Sequence, residues 1–385
     1  MLIRQAMLKD VSVVQLDRLA ELEEIAPHLV LVFGSLKLMS HPSLQEQLAL
    51  RFSDAQRIGC STAGEIFSLG VGHGTVVVTA IHFTQPMFRV ATAELASAEL
   101  SREAGMQLAG SLAAPELKMV WLLGQGLNIN GSALVAGMSD HLGKQVPICG
   151  GLAGDDGEFK STATLCNAGV SDHRLVAIGF YGDKVVHAHG SFGGWRAFGP
   201  ARKVTRCVGN ILYELDGEAA LTVYKRYLGD YAKDLPASGL LFPFEMMSHQ
   251  GEATGLIRTI LGIDEQQGCL TLAGEINPEG YLRLMHAHTD ALIDGVEDAA
   301  GFMQKSLSPH AGPGLALLVS CAGRLMVMGG RVDEEVEAVA TVLGSHVTLA
   351  GFYSYGEICP AAATLECQLQ NQTMTMALLA EVADG

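Results

Sequence analysis

Gly59-Cys60-Ser61-Thr62-Ala63-Gly64-Glu65-Ile66 is the stretch on which the fold turns, because the chain writes it again as Gly351-Phe352-Tyr353-Ser354-Tyr355-Gly356-Glu357-Ile358. A looser copy, Ile148-Cys149-Gly150-Gly151-Leu152-Ala153-Gly154-Asp155-Asp156, stands between them. Each follows an apolar run and carries a glycine hinge, small residues and then an acid. Such a loop lets backbone N–H groups and a carboxylate come close to a small ligand. Its repetition indicates one structural device used several times.

Each copy closes a larger unit. The first unit opens with the apolar run 28–35, continues through a helical pattern over 43–52, and ends at Gly59. The second opens at 118–124, has a helix over 132–142, and ends at Gly150. The third opens at 314–321, has a helix over about 333–343, and ends at Gly351. Continuous apolar runs joined by amphipathic helices predict buried strands with right-handed crossover helices. Loops at equivalent strand ends cluster at one sheet edge, where open α/β sheets take ligands. Alternating runs at 75–83, 88–92, 161–167, 175–181 and 185–189 predict half-buried antiparallel strands, so the sheets are mixed. A helix is expected over 219–228, with a domain boundary near Gly217. The fold class is therefore α/β, with mixed sheets built on repeated strand–helix–strand units and helices packed on them.

Composition narrows the function. With 49% apolar and 17% charged residues, the 385-residue chain has ample material for a core. No apolar run reaches membrane-spanning length and the N-terminus lacks a signal-peptide pattern, so a cytoplasmic location without membrane is expected. A formal net charge of −16 repels a phosphate backbone and argues against nucleic acid as a partner. The eight cysteines are scattered with no Cys-x-x-Cys pair, which reads as reduced, mostly structural thiols.

At these motifs the chain resembles the FIST family. Gly59–Ile66 and Gly150–Asp156 resemble the FIST N-terminal domain, giving an expected first domain over 1–217. Leu215-Asp216-Gly217 with the segment 221–229, Ser320-Cys321-Ala322-Gly323-Arg324, and Gly351–Ile358 followed by Asn371-Gln372-Thr373 resemble the C-terminal domain, expected over 218–385. The resemblance implies a sensory module of signal transduction for small ligands such as amino acids. It is similar to the stand-alone subset that binds b-type haem non-covalently, senses nitric oxide, and regulates a separate histidine kinase or cyclic-di-GMP enzyme. Self-association is compatible with this reading.

A haem needs an axial ligand, usually a neutral imidazole, in an apolar pocket. His187-Ala188-His189 puts two imidazoles on one strand face and leads into a Gly-rich turn with Trp195 and Arg196. His187 or His189 is the expected ligand to iron, with Trp195 and Arg196 lining the pocket for ring and carboxylates. His286-Ala287-His288 with Asp290 offers a metal pattern on one strand face. His173 and His73 are further loop candidates, and Cys207 or Cys60 a thiolate ligand or redox sensor. Without haem, the alternative is a small-molecule (amino acid) sensor at the loops, with Thr62, Gly64, Glu65, Gly151, Asp155, Tyr355, Gly356 and Glu357 as contacts. Catalysis is not expected: Gly59–Gly64 narrowly misses a nucleophile elbow, and no Walker or His-Glu-x-x-His motif occurs.

Overall fold

The computed structural model describes residues 1–306, 311–361 and 366–382. The first unit comprises β1 (Leu2–Leu8), β2 (Leu29–Gly34), α1 (Pro42–Arg51), β3 (Gln56–Ser61), the hairpin β4 (Glu65–Phe67) and β5 (Gly70–Gly72), and β6 (Val76–His82). The second comprises β7 (Phe88–Glu94), α2 (Ser101–Leu112), β8 (Leu117–Gly124), α3 (Gly131–Leu142), β9 (Ile148–Leu152), the hairpin β10 (Thr164–Cys166) and β11 (Gly169–Ser171), and β12 (Arg174–Tyr181). The third opens with β13 (Val185–Phe192) and is then interrupted. An inserted module holds β14 (Arg196–Ala197), β15 (Arg202–Val208), β16 (Ile211–Leu215), β17 (Glu218–Ala219), α4 (Ala220–Leu228), β18 (Phe244–Met247), β19 (Ala253–Arg258), β20 (Ile260–Asp264), β21 (Cys269–Leu272) and β22 (Tyr281–His286). The third unit resumes with α5 (Thr289–Ser306), β23 (Ala311–Cys321), α6 (Asp333–Leu343), β24 (Val347–Ser354), the hairpin β25 (Gly356–Pro360) and β26 (Cys367–Gln370), and β27 (Met374–Val382).

The three units build three equivalent sheets, ordered β1-β6-β2-β3-β10-β11, β7-β12-β8-β9-β25-β26 and β13-β27-β23-β24-β4-β5. In each, two parallel strands sit at the centre, as the apolar runs and crossover helices predict. The outer two strands of each sheet are a hairpin donated by another unit. The second unit lends β10–β11 to the first sheet, the third lends β25–β26 to the second, and the first lends β4–β5 to the third. The exchange closes into a ring. Every repeated phrase lies where a unit's last parallel strand turns into the hairpin it donates.

The hinge glycine of the phrase is explained by strand packing. Gly59, Gly150 and Gly351 stand opposite Val32, Leu122 and Leu318 in their parallel neighbours. A Cβ at each would lie 1.8, 1.9 and 1.8 Å from those residues' carbonyl oxygens. Only glycine permits that approach.

The inner faces of the three sheets share one core, including Phe33, Cys60, Trp121, Cys149, Val319 and Phe352. The outer faces pack under α1, under α2 and α3, and under α5 and α6. Burial on both faces is why the central strands read as unbroken apolar runs. The inserted module has its own core around α4. Gly217, where the domain boundary was expected, lies in the turn between β16 and β17 within that module. Among the described residues no helix is long and apolar enough to cross a membrane.

Candidate functional site

The repeated phrases meet at a junction held by backbone bonds. Ala63 N–H donates to Tyr353 O, Tyr353 N–H to Gly64 O, Gly154 N–H to Ser61 O, and Tyr355 N–H to Leu152 O. Within it the first and third copies repeat one arrangement. Thr62 Oγ1 donates to Glu65 Oε1 at 2.6 Å, while Thr75 donates to Oε2 from its N–H at 3.1 Å and its hydroxyl at 2.6 Å. Ser354 Oγ donates to Glu357 Oε1 at 2.7 Å, while Thr373 donates to Oε2 from its N–H at 3.2 Å and its hydroxyl at 3.0 Å. Both carboxyls are fully buried. Gly151 pairs in register with Glu357, and Gly356 with Leu152, so the phrases' glycines make strand contacts. Thr62, Gly64, Glu65, Gly151, Gly356 and Glu357 are thus joined, but they face one another and the neighbouring strands.

Asp155 in the looser copy works differently. Its carboxylate accepts from the N–H groups of Phe159, Lys160 and Ser161 at 2.8, 2.6 and 2.8 Å, and from the Tyr355 hydroxyl. It caps its own loop and anchors Tyr355, whose ring stacks on Phe159 at 4.2 Å.

Desolvation outweighs these hydrogen bonds and pushes Glu65 up to about 7 and Glu357 up to about 8. The folded chain therefore keeps protons that the unfolded chain releases above its ordinary value of 4.5. The stability these groups contribute is complete below that value and is lost as pH rises to about 7 and about 8. Glutamine mimics the protonated form at both sites: its oxygen suits the Thr75 or Thr373 N–H, and the rotatable hydroxyl of Thr62 or Ser354 accepts from its amide. In thermal melts from acid to mildly alkaline pH, the melting temperature of the wild type relative to Glu65→Gln/Glu357→Gln is expected to fall as pH rises. Parallel pH curves would refute the protonated junction.

The β13 histidines lie at the free edge of the third sheet. His187 and His189 share a strand face, with ring centroids 6.3 Å apart and planes 14° from parallel. Both Nδ1 atoms are buried without a hydrogen-bond partner among the described residues. Burial lowers both imidazole pKa values, with the Lys118 charge adding to the effect at His187 and the neighbouring His187 at His189. His189 lines a largely apolar crevice of about 320 Å³ with Phe192, Ala299, Phe302 and Pro360.

Trp195 and Arg196 lie apart from this crevice. Trp195 donates from Nε1 to Gln372 O at 2.7 Å and lines a second cavity of about 260 Å³ with Gly193, Gly194, Glu245 and Met285. Ser191 lines both cavities. Arg196 is exposed and pairs through its backbone with His286.

The other candidates separate. β22 ends at His286 and α5 begins at Thr289, so His286, His288 and Asp290 do not share a strand face. Asp290 instead pairs with Arg331 at 2.9 Å. The helix start at Thr289, rather than strand alternation, governs that segment. Among the described residues no metal-binding cluster of His, Cys, Asp or Glu forms. His173 is exposed beside Asp172, and His73 is exposed beside Gly64. Burial raises the thiols of Cys60 and Cys207, the opposite of what a thiolate sensor requires. Arg206, which precedes Cys207, lies over the Tyr213 ring and pairs with Glu214.

Two buried arginines were missed. Arg324 is fully buried and bonded to Glu335 at 2.8 Å, to Gly193 O at 2.7 Å and to Leu292 O at 3.2 Å. Glu335 also accepts from Ser320 at 3.0 Å and Tyr353 at 2.5 Å. Arg258 lines a cleft beside the inserted module. The available signal was a lone cation within an apolar run: Gly323-Arg324-Leu325-Met326-Val327 and Leu256-Ile257-Arg258-Thr259-Ile260.

Comparison with known proteins gives two adjoining family matches. The FIST N domain matches residues 28–218 and the FIST C domain residues 220–360. No curated protein matches the chain. Among solved structures, the crystal structure of cyanuric acid hydrolase from A. caulinodans aligns over 100% of this chain and 99% of that one, at 9% identity and a TM-score of 0.36. A likeness that distant carries no argument here.

Proposed function

This chain belongs to the FIST family and carries both its N and C domains, which are signal-transduction sensor domains; on that premise we propose that it is a haem-binding nitric oxide sensor. In this reading His189 or His187 is the axial ligand, at the free edge of β13, and the output goes to a separate histidine kinase or cyclic-di-GMP enzyme. The observation that carries it is the pair of half-buried imidazoles whose buried Nδ1 atoms have no partner among the described residues. Buried polar atoms are normally satisfied, and two orphans on one strand face call for a further group.

The residues fit haem. Desolvation keeps both imidazoles neutral, the form that ligates iron. Phe192, Phe302 and Pro360 give apolar walls beside His189. Haem, when bound, would supply a ferrous iron that takes nitric oxide. The crevice lies at the small end of ligand cavities, so loading is expected to press α5 away from β13.

The protein has a route by which that displacement reaches its centre. Arg324 holds Gly193, just beyond β13, and Leu292 on α5, and it holds Glu335 on α6. Glu335 in turn holds Tyr353 at the junction of the repeated phrases. A shift of α5 against β13 therefore changes the partners of one buried cation shared by three elements. No catalytic residue enters this reading.

The test is an absorbance titration of the purified protein with haem, followed by nitric oxide on the reduced form. A sharp Soret band saturating at one haem per chain and moving with nitric oxide is expected. Only the broad absorbance of loosely held haem would overturn the proposal.

A further inference from the structure

Arg258 ends β19 and is only 5% exposed. Among the described residues no carboxylate lies within ion-pairing distance of it. Its bonds go to backbone carbonyls only: Nε to Glu275 at 3.4 Å, and Nη1 to Ile257 and Leu369 at 3.2 Å each. Nη2 donates to nothing among the described residues. A buried cation without a direct ion pair is costly, and desolvation, only partly offset by the charge of the nearby Glu275, lowers this guanidinium to about 10. Gly274 makes the arrangement feasible, because a Cβ there would lie 2.7 Å from Arg258 Nε.

The nearby charges are otherwise committed. Lys144 pairs with Glu366, and Arg102 with Asp140. The Glu275 side chain is exposed and accepts from Asn130 at 3.4 Å.

Arg258 lines a cavity of about 400 Å³ between α3 and the inserted module. Two further buried atoms on its walls lack partners among the described residues: Ser139 Oγ and the acceptor Gln368 Oε1. Ser132, Glu275 and Leu369 are shared with an adjoining cavity of about 350 Å³, so the two form one cleft. We propose that this cleft binds a small organic carboxylate that also carries a hydroxyl or amine donor. The carboxylate supplies the direct ion pair that Arg258 lacks among the described residues, and the donor satisfies Gln368 Oε1. The site lies apart from the β13 edge, bridging the second unit and the inserted module.

The test is calorimetric titration of the full-length protein with L-lactate, L-serine, acetate and ethanolamine. L-lactate and L-serine are expected to give saturable heats, acetate to bind at least about 10-fold more weakly for want of a donor, and ethanolamine to give none. Arg258→Met should weaken binding by about 10- to 100-fold, as expected for losing a charge-assisted hydrogen bond. Should that variant fail to fold, Ala136→Phe decides: it fills the cavity from α3, leaves Arg258 in place, and should abolish the heats while the protein stays folded. No saturable heat from either L-lactate or L-serine, or wild-type affinity in a folded variant of either kind, would overturn the site.

Discussion

Gly351→Ala is expected to cost about 4 kcal/mol or more of stability, enough to leave little folded protein at physiological temperature. The added Cβ would sit 1.8 Å from Leu318 O and 2.7 Å from its carbonyl carbon, both backbone atoms of the paired strand. Neither can move away as a side chain can. β23 and β24 would have to part at the centre of the third sheet, and their pairing is flanked by β27 on one side and β4 on the other. Gly59→Ala meets Val32 O at the same distance and is expected to be equally severe. Gly150→Ala meets Leu122 O at 1.9 Å and adds the strain of a φ of +139°. Gly301→Ala is the internal control: it lies within α5, meets nothing within 4 Å, and should leave stability unchanged or raise it by about 0.5–1 kcal/mol. Thermal melts of the four variants check the set. A Gly351→Ala protein melting with the wild type would contradict the ring as described.

These glycines also show what was legible in the sequence. The repeated phrase, its three occurrences and the strand–helix–strand unit around each are written in local pattern, because apolar runs and helical periodicity are properties of neighbouring residues. The reason for the glycine was not. It depends on Val32, Leu122 and Leu318 standing opposite, a register that no local pattern carries. The ring closure was hidden for the same reason. β4 and β10 are three residues each, too short to show alternation, and their partners β24 and β3 belong to other units.

The acids were read as ligand contacts because an acid after glycine suits a loop facing solvent. Hydroxyls at Thr62, Thr75, Ser354 and Thr373 instead let Glu65 and Glu357 be buried, and two of those four lie ten or more residues from the acid they serve. The His187 and His189 pairing on one face followed directly from the period of a strand. The grouping of Trp195 and Arg196 with them did not follow, because the chain leaves the third sheet after β13 and enters the inserted module. Adjacency in sequence then ceases to mean adjacency in space.

Loss of haem from a protein altered only at β13 is the second large effect expected. His187 and His189 are half-buried imidazoles whose buried Nδ1 atoms are orphans among the described residues, and His189 alone of them lines the crevice between β13 and α5. Removing an axial imidazole leaves apolar contact as the main hold on the macrocycle, which does not fix iron coordination. Neither side chain has a hydrogen bond to lose among the described residues, so alanine at these positions should leave the fold intact, and melting curves will show whether it does. The most direct measurement is therefore a haem titration followed at the Soret band, run on the wild type beside His187→Ala, His189→Ala and the double variant. A sharp, saturating band is expected for the wild type, with its loss in His189→Ala and no specific band in the double variant. A double variant that is folded and binds haem with the wild-type spectrum and stoichiometry would contradict haem ligation at β13.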